Sequence, residues 1–297
     1  MKKFFAILLT LVLVVGAFAA CDGSTEETTA AGDETTAANL TATEGVLVMA
    51  TNAAFPPYEF KEGDNFAGID VEIAGKIAEK LGMTLEIQDV EFGSIIGGVQ
   101  TGKFDIGMAG MTVTDERLES VNFSKSYATG IQVVIVNEDS AIASLDDLKG
   151  DGSMKFGVQQ DTTGDIYASD TAEKGGYGEE NVIRYKTGAE AVMALKAGKV
   201  DAVIIDNEPA KSFVAANEGL KILEGNWVLE DYAIAVAKEN TALLTAIDNA
   251  LAELTADGTV ADIIAKYIPA EEAADETTEA ADETTEEAAE ETTEAAA

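Results

Sequence analysis

From Gly45 to Pro269 short apolar runs alternate with amphipathic stretches, the pattern of strands feeding helices. Val46 to Thr51 and Thr84 to Val90 read as strands. Between them Ile73, Ile77 and Leu81 share one face of a helix over Ile69 to Leu81, which Gly82 stops. Ile95, Ile96 and Val99 then precede Gly102, and Ala191, Val192 and Leu195 precede Gly198 at the same helical offsets. Each glycine opens a Gly-Lys-x-Asp tetrapeptide, Gly102-Lys103-Phe104-Asp105 and Gly198-Lys199-Val200-Asp201. The runs that follow, Ile106 to Ala109 and Ala202 to Ile205, have the continuous apolar character of strands buried on both faces. The chain is thus built twice, with both glycines expected as left-handed helix caps.

The segment Val121 to Val136 is β-prone, most strongly from Ile131, and suits a crossover. Beyond it the pattern predicts a short helix opening at Ser144 to Leu148, strands at Lys155 to Gln159 and Val182 to Tyr185, and a helix from Pro209 to about Asn217. Tyr232 to Ala237 is apolar again and returns to the first half, followed by helices at Leu243 to Leu254 and Ile263 to Tyr267. The expected fold class is α/β with two lobes joined by a two-strand hinge: a discontinuous lobe 1 (45–131 plus 230–269) and an inserted lobe 2 (135–227). Open α/β sheets hold ligands beyond their strand ends, which directs attention to Gly110 to Thr112 and to Asp206.

The two ends of the chain differ from this body. Met1-Lys2-Lys3, the apolar run Phe4 to Ala20 and small residues before Cys21 predict an export signal over 1–20. Phe18-Ala19-Ala20-Cys21 resembles a bacterial lipobox, with Phe18 in place of the usual Leu, and implies lipid attachment at Cys21. Cys21 is the only cysteine, so a disulfide within the chain is excluded and acylation explains a lone thiol in an exported protein. Residues 21–44 and 270–297 are rich in Thr, Ala and acidic residues with little to bury, and are expected to be a disordered tether and tail. Between them the body holds 37 acidic and 17 basic residues, a net charge of −20 that argues against nucleic acid or anionic lipid as a partner of its surface.

The chain has no histidine, which removes Ser-His-Asp and Cys-His catalysis and the common zinc sites together. Thr114-Asp115-Glu116-Arg117 reads as a helix start with Thr114 as N-cap. A cation in a first turn opposes the helix dipole, so Arg117 either meets an anion through two parallel hydrogen bonds or pairs with neighbouring acids on the surface. Asp206 either presents its carboxylate at a strand end or caps the helix before Pro209. Phe55 and Phe92 also follow strand ends, where a core role is equally open.

Several stretches, in order, resemble the polar amino-acid solute-binding proteins of bacterial ABC importers: Asn52-Ala53-Ala54-Phe55-Pro56-Pro57-Tyr58-Glu59-Phe60, Gly68-Ile69-Asp70-Val71-Glu72, Gly102 to Asp105, Gly110-Met111-Thr112-Val113-Thr114-Asp115-Glu116-Arg117 and Asn122-Phe123-Ser124. The resemblance implies closure of two lobes about a ligand in a type II periplasmic-binding-protein-like fold. It implies that Arg117, with the backbone of Thr112 and Thr163, holds a ligand α-carboxylate, and that Asp206 and the Gly110 carbonyl take the α-ammonium. Phe55 and Phe92 would flank the ligand side chain and Asn52 would meet its far end; Gln159 is a further ligand-binding candidate. Asn52 stands where relatives binding basic amino acids carry Asp, which favours a neutral, glutamine-like ligand ahead of cystine or basic ones; Glu230 would restore a negative charge. Asp161 stands at a usual glycine, tolerable if its backbone avoids positive φ or exploits the tolerance of Asp for it.

The resulting expectation is a monomeric, lipid-anchored receptor on the outer face of the cytoplasmic membrane, delivering a free amino acid to an ABC permease with no cofactor, no metal and no chemistry of its own. A cyclohexadienyl dehydratase-like enzyme and a ligand-sensing module for a signalling partner are the alternatives on the same fold.

Overall fold

The structure, a computed structural model, describes residues 40–149, 152–225 and 228–269. The expected signal, Cys21, most of the expected tether and the expected tail from 270 lie outside the described residues.

The chain opens with β1 (Val46–Thr51), then β2 (Ala54–Phe55), β3 (Glu59–Glu62) and β4 (Asn65–Ala67), which form a small antiparallel sheet of their own. Helix α1 (Ile69–Lys80), β5 (Thr84–Asp89), α2 (Ile95–Gln100), β6 (Ile106–Gly107), α3 (Asp115–Ser120) and β7 (Val121–Phe123) follow. Strand β8 (Ala128–Asn137) enters the second half, which continues through β9 (Phe156–Gln159), α4 (Thr163–Ser169), β10 (Val182–Tyr185), α5 (Gly188–Lys196), β11 (Ala202–Asp206), α6 (Asn207–Ala216) and β12 (Leu220–Ile222). Strands β13 (Val228–Tyr232) and β14 (Ala235–Ala237) lead back to α7 (Thr241–Ala256) and α8 (Thr259–Tyr267).

Two main sheets result. The first runs β5-β1-β6-β14-β7, with β1 parallel to β5 and β6, and β14 antiparallel to β6 and β7. The second runs β10-β9-β11-β8-β12, with β13 also on β8. Each is covered on both faces, as parallel strands require. Ile69, Ile73 and Ile77 of α1 pack with Leu243, Ile247 and Leu251 of α7 and Val260 and Ile263 of α8 on one face of the first sheet. Ile95, Val99 and Phe104 cover the other. Full burial of a side chain such as Ile73 is worth about 1.5–3 kcal/mol.

The doubled tetrapeptide has a common structural role. Gly102 and Gly198 cap their helices at φ 70° and 67°, in the left-handed region as expected. The aspartate three residues on then clamps the start of the neighbouring strand. Asp105 donates its amide to the Val48 carbonyl (2.9 Å) and accepts the Val48 amide on Oδ2 (2.9 Å). Asp201 does the same with Lys155, at 2.8 Å in both directions. The motif therefore fixes strand order in both lobes.

The structure departs from the sequence expectation in four places. Residues 40–44, assigned to the tether, pack on lobe 1: Leu40 is buried, and the Ala42 amide donates to Asp105 Oδ1 (2.9 Å). The segment from Val121 is two strands, β7 in the first sheet and β8 in the second. Strand β8 pairs with β13 from Ala128↔Tyr232 to Gln132↔Val228, so the switch between sheets falls at 124–127 and 233–234, a few residues from the expected boundaries. Finally, β2 to β4, α4 and β12 were not anticipated.

Candidate functional site

The ends of β1, β6, β9 and β11 converge on one small cavity between the lobes. Its lining includes all nine residues singled out in the sequence, namely Asn52, Phe55, Phe92, Gly110, Thr112, Arg117, Gln159, Thr163 and Asp206, together with Glu59, Ala109 and Thr162. Lobe 1 supplies the first six and lobe 2 the last three.

Arg117 owes its place to a local device. Thr114 caps α3 by accepting the Arg117 amide on Oγ1 (3.2 Å), which sets the first turn and turns the arginine inward. Arg117 is only 8% exposed and, among the described residues, its guanidinium has no ion-pair partner; the surface-pairing alternative is therefore wrong. Nη1 donates to the Thr112 carbonyl (2.8 Å), Nη2 to the Asp161 carbonyl across the cleft (3.0 Å), and the Phe92 ring lies 5.2 Å from the guanidinium carbon. Burial draws its pKa down, opposed chiefly by the charges of Glu230 and Asp206.

Asp206 occupies the N-cap position of α6, yet its side chain makes no capping bond. Instead it accepts the Tyr232 hydroxyl. Burial first, and then the neighbouring Glu230 charge, push its carboxyl up to about 8. Glu230 is 4% exposed and takes hydrogen bonds on Oε2 from Thr112 Oγ1 (3.1 Å) and Gln132 Nε2 (3.0 Å). The far wall is an amide pair: Gln159 Nε2 donates to Asn52 Oδ1 (2.9 Å), while Asn52 Nδ2 donates to the Val90 carbonyl (2.8 Å). That pair crosses from lobe 2 to lobe 1, as do the Arg117–Asp161 bond and the ion pair between Lys186 and Glu91 (2.5 Å). The two lobes are closed on each other.

Asp161 has φ 64°, so the chain uses the tolerance of aspartate for left-handed backbone at this position. Its amide is held by Asp165 Oδ2 (3.0 Å), which leaves its carbonyl for Arg117.

The sequence pattern of the bacterial extracellular solute-binding proteins, family 3, matches residues 47–270. The chain belongs to this family. The arginine-binding extracellular protein ArtP of Bacillus subtilis (strain 168) is 30% identical over 274 residues, covering 92% of this chain and all of ArtP. An ancestral arginine-binding protein bound to glutamine superposes with a TM-score of 0.69 at 38% identity, over 75% of this chain and 98% of that one. The same kind of ancestral protein bound to arginine gives a TM-score of 0.69 at 39% identity over the same shares.

As a family 3 solute-binding protein the chain needs an enclosed site between lobes, and the cavity meets that need with one cation and a surplus of acids. Glu59, absent from the sequence candidates, is 1% exposed and lines the cavity. Asp70 stands behind it, fully buried. Both lie inside quoted stretches, and an acid flanked by Tyr58 and Phe60 was the available signal. Tyr232 and Gln132 were missed because nothing local marks a hinge-strand side chain that reaches a carboxylate from elsewhere.

Proposed function

We propose that this family 3 protein captures a free polar amino acid between its lobes and presents the closed complex to the permease of an ABC importer. The observation that carries the reading is Arg117: a buried guanidinium with two carbonyl acceptors and no carboxylate of its own, in a cavity whose opposite lobe supplies Asp206. Buried charges need hydrogen-bonded partners of opposite sign, and a zwitterion brings both at once. The α-carboxylate takes Arg117 with the backbone of Thr112 and Thr163, and the α-ammonium takes Asp206 and the Gly110 carbonyl. Phe55 and Phe92 flank the side chain. Binding energy then shifts an open–closed equilibrium, and no bond is made or broken.

For the cargo, the amide pair Asn52–Gln159 supports a neutral, hydrogen-bonding side chain such as that of glutamine. A specific observation favours a second reading. Glu59, Asp70, Asp206 and Glu230 are four buried carboxyls around one guanidinium, so even with one proton shared in each neighbouring pair the site keeps a net negative charge that a cationic side chain balances. The names of the relatives, arginine among them, support that reading too. Cystine follows. Attachment at Cys21 and the position on the outer face of the membrane belong to the same proposal.

Thermal melts of the protein against the twenty amino acids, cystine and prephenate test it, since a ligand at 100 times its dissociation constant adds about 2.7 kcal/mol. A shift with glutamine or with arginine identifies the cargo class. A response to prephenate alone, with product formed, replaces the receptor by a dehydratase.

A further inference from the structure

Among the described residues Glu230 Oε1, Glu59 Oε2 and Asp70 Oδ1 are buried carboxyl oxygens with no N–H or O–H donor, and the last two belong to neighbouring carboxyls beside the ligand cavity. Both side chains are buried, at 1% and 0% exposure. The other oxygen of Asp70 is fully occupied, accepting the Gly110 amide (2.8 Å) and the Tyr127 hydroxyl (2.9 Å) on Oδ2. An orphaned acceptor at such depth costs about 1–3 kcal/mol, and two on adjacent carboxyls share one remedy. A single proton between them makes one a donor and the other an acceptor.

We propose that Glu59 is a hydrogen-bond donor rather than a charge, sharing one proton with Asp70, and that this pair is the positioning device for Gly110 in the ligand cavity. The groups facing the pair are Tyr58, just before β3, Tyr127 from the crossover and Asp206 from lobe 2, none of them a cation. Two full negative charges therefore have no countercharge there, and burial pushes the Asp70 carboxyl up to about 7 and that of Glu59 well above its usual range. Asp70 sits in the first turn of α1, with Glu59 opposite Phe55 in the small sheet. Through Asp70, the proton on Glu59 fixes three things together: the start of α1, the crossover at Tyr127 and the peptide of Gly110, which lies at φ 53° on the cavity wall. The role given to that peptide rests on the proposed function, in which the Gly110 carbonyl takes the α-ammonium. Gln at position 59 reproduces the shape and donor of the protonated acid, whereas Leu removes the donor and keeps the bulk.

The experiment has two arms on the full chain. In the infrared, without ligand at pH 7, the difference between wild type and Glu59→Gln is expected to contain the carbonyl stretch of a protonated carboxylic acid. In titrations with L-glutamine and L-arginine, Glu59→Gln is expected to bind within about threefold of wild type and Glu59→Leu at least about tenfold more weakly, with a cooperative melt retained. Absence of the acid band overturns the proposal, as does equal loss of affinity in both variants or full affinity in Glu59→Leu. If wild type itself binds neither amino acid, the proposed function falls, and the infrared arm alone decides the protonation of Glu59.

Discussion

Arg117 concentrates the energetics of the site in one side chain. Its two acceptors are carbonyls, one on each side of the cleft, so the guanidinium keeps the capacity to grip a carboxylate bidentately. Arg117→Ala is expected to weaken amino-acid binding by about 2–5 kcal/mol, thirtyfold or more, because the ligand carboxylate is left buried and unpaired. Calorimetric titration checks it, with a cooperative melt as the control for folding; unchanged affinity removes the carboxylate assignment. Asp161 is the complementary case, where backbone conformation matters more than the side chain. Alanine at φ 64° carries the full left-handed cost of about 1–2 kcal/mol, whereas glycine carries none. Asp161→Ala should therefore melt below Asp161→Gly, and the reverse order would show that the left-handed backbone carries no such cost here. All nine sequence candidates reach one cavity because motif residues at strand ends are legible one by one. Glu59 escaped because its importance lies in a partner, Asp70, that sequence spacing does not place beside it.

At the level of elements, what repeats was legible and what is short was not. The helix, Gly-Lys-x-Asp and strand unit could be read twice because periodicity, a cap and a buried run agree. Strands β2 and β4 are two and three residues long, β3 carries the exposed charges Lys61 and Glu62, and β12 is three residues long, so none gives a periodic signal. Helix α4 hides its start, since Thr162 looks like loop until its Oγ1 is seen to accept the Asp165 amide (3.3 Å). The strand pair β8–β13 is where an element-scale change should matter most. Gly130 lies opposite Glu230, and a Cβ there would come within 2.1 Å of the Tyr232 hydroxyl. Gly130→Ala is expected to displace that hydroxyl from Asp206, costing about 1–3 kcal/mol of stability and weakening ligand binding with it. Urea unfolding and titration of the same variant check both; loss of stability with full affinity would separate Tyr232 from the site.

For the molecule as a whole, the buried acids set a direction for pH. Asp206 at about 8 and Asp70 at about 7 both stand above the ~3.9 of an unfolded aspartate, so the folded protein binds more protons than the unfolded chain across that window. Their contribution is complete below about pH 4 and is lost as pH rises through 7 to 8. The net charge of −36 acts in the same sense, since self-repulsion grows as carboxyls ionise. Urea unfolding at pH 5.5 and 8.5 should give the lower stability at 8.5, by at least about 1 kcal/mol; equal values would mean that these carboxyls are ionised in the folded state.

The insertion of lobe 2 between 124–127 and 233–234 has a mechanical consequence. Leu40, held by the Asn240 amide through its carbonyl (2.8 Å), and Tyr267, whose hydroxyl accepts the Gly68 amide (3.3 Å), both anchor on lobe 1. A tensile load applied between residues 40 and 268 enters through lobe 1 alone and reaches the inserted lobe only after β7 and β14 have come apart. Pulled from its ends, the chain should rupture in two steps, the outer lobe first and the sheltered inner lobe second. An amino acid clasped between them should raise the force of the first step.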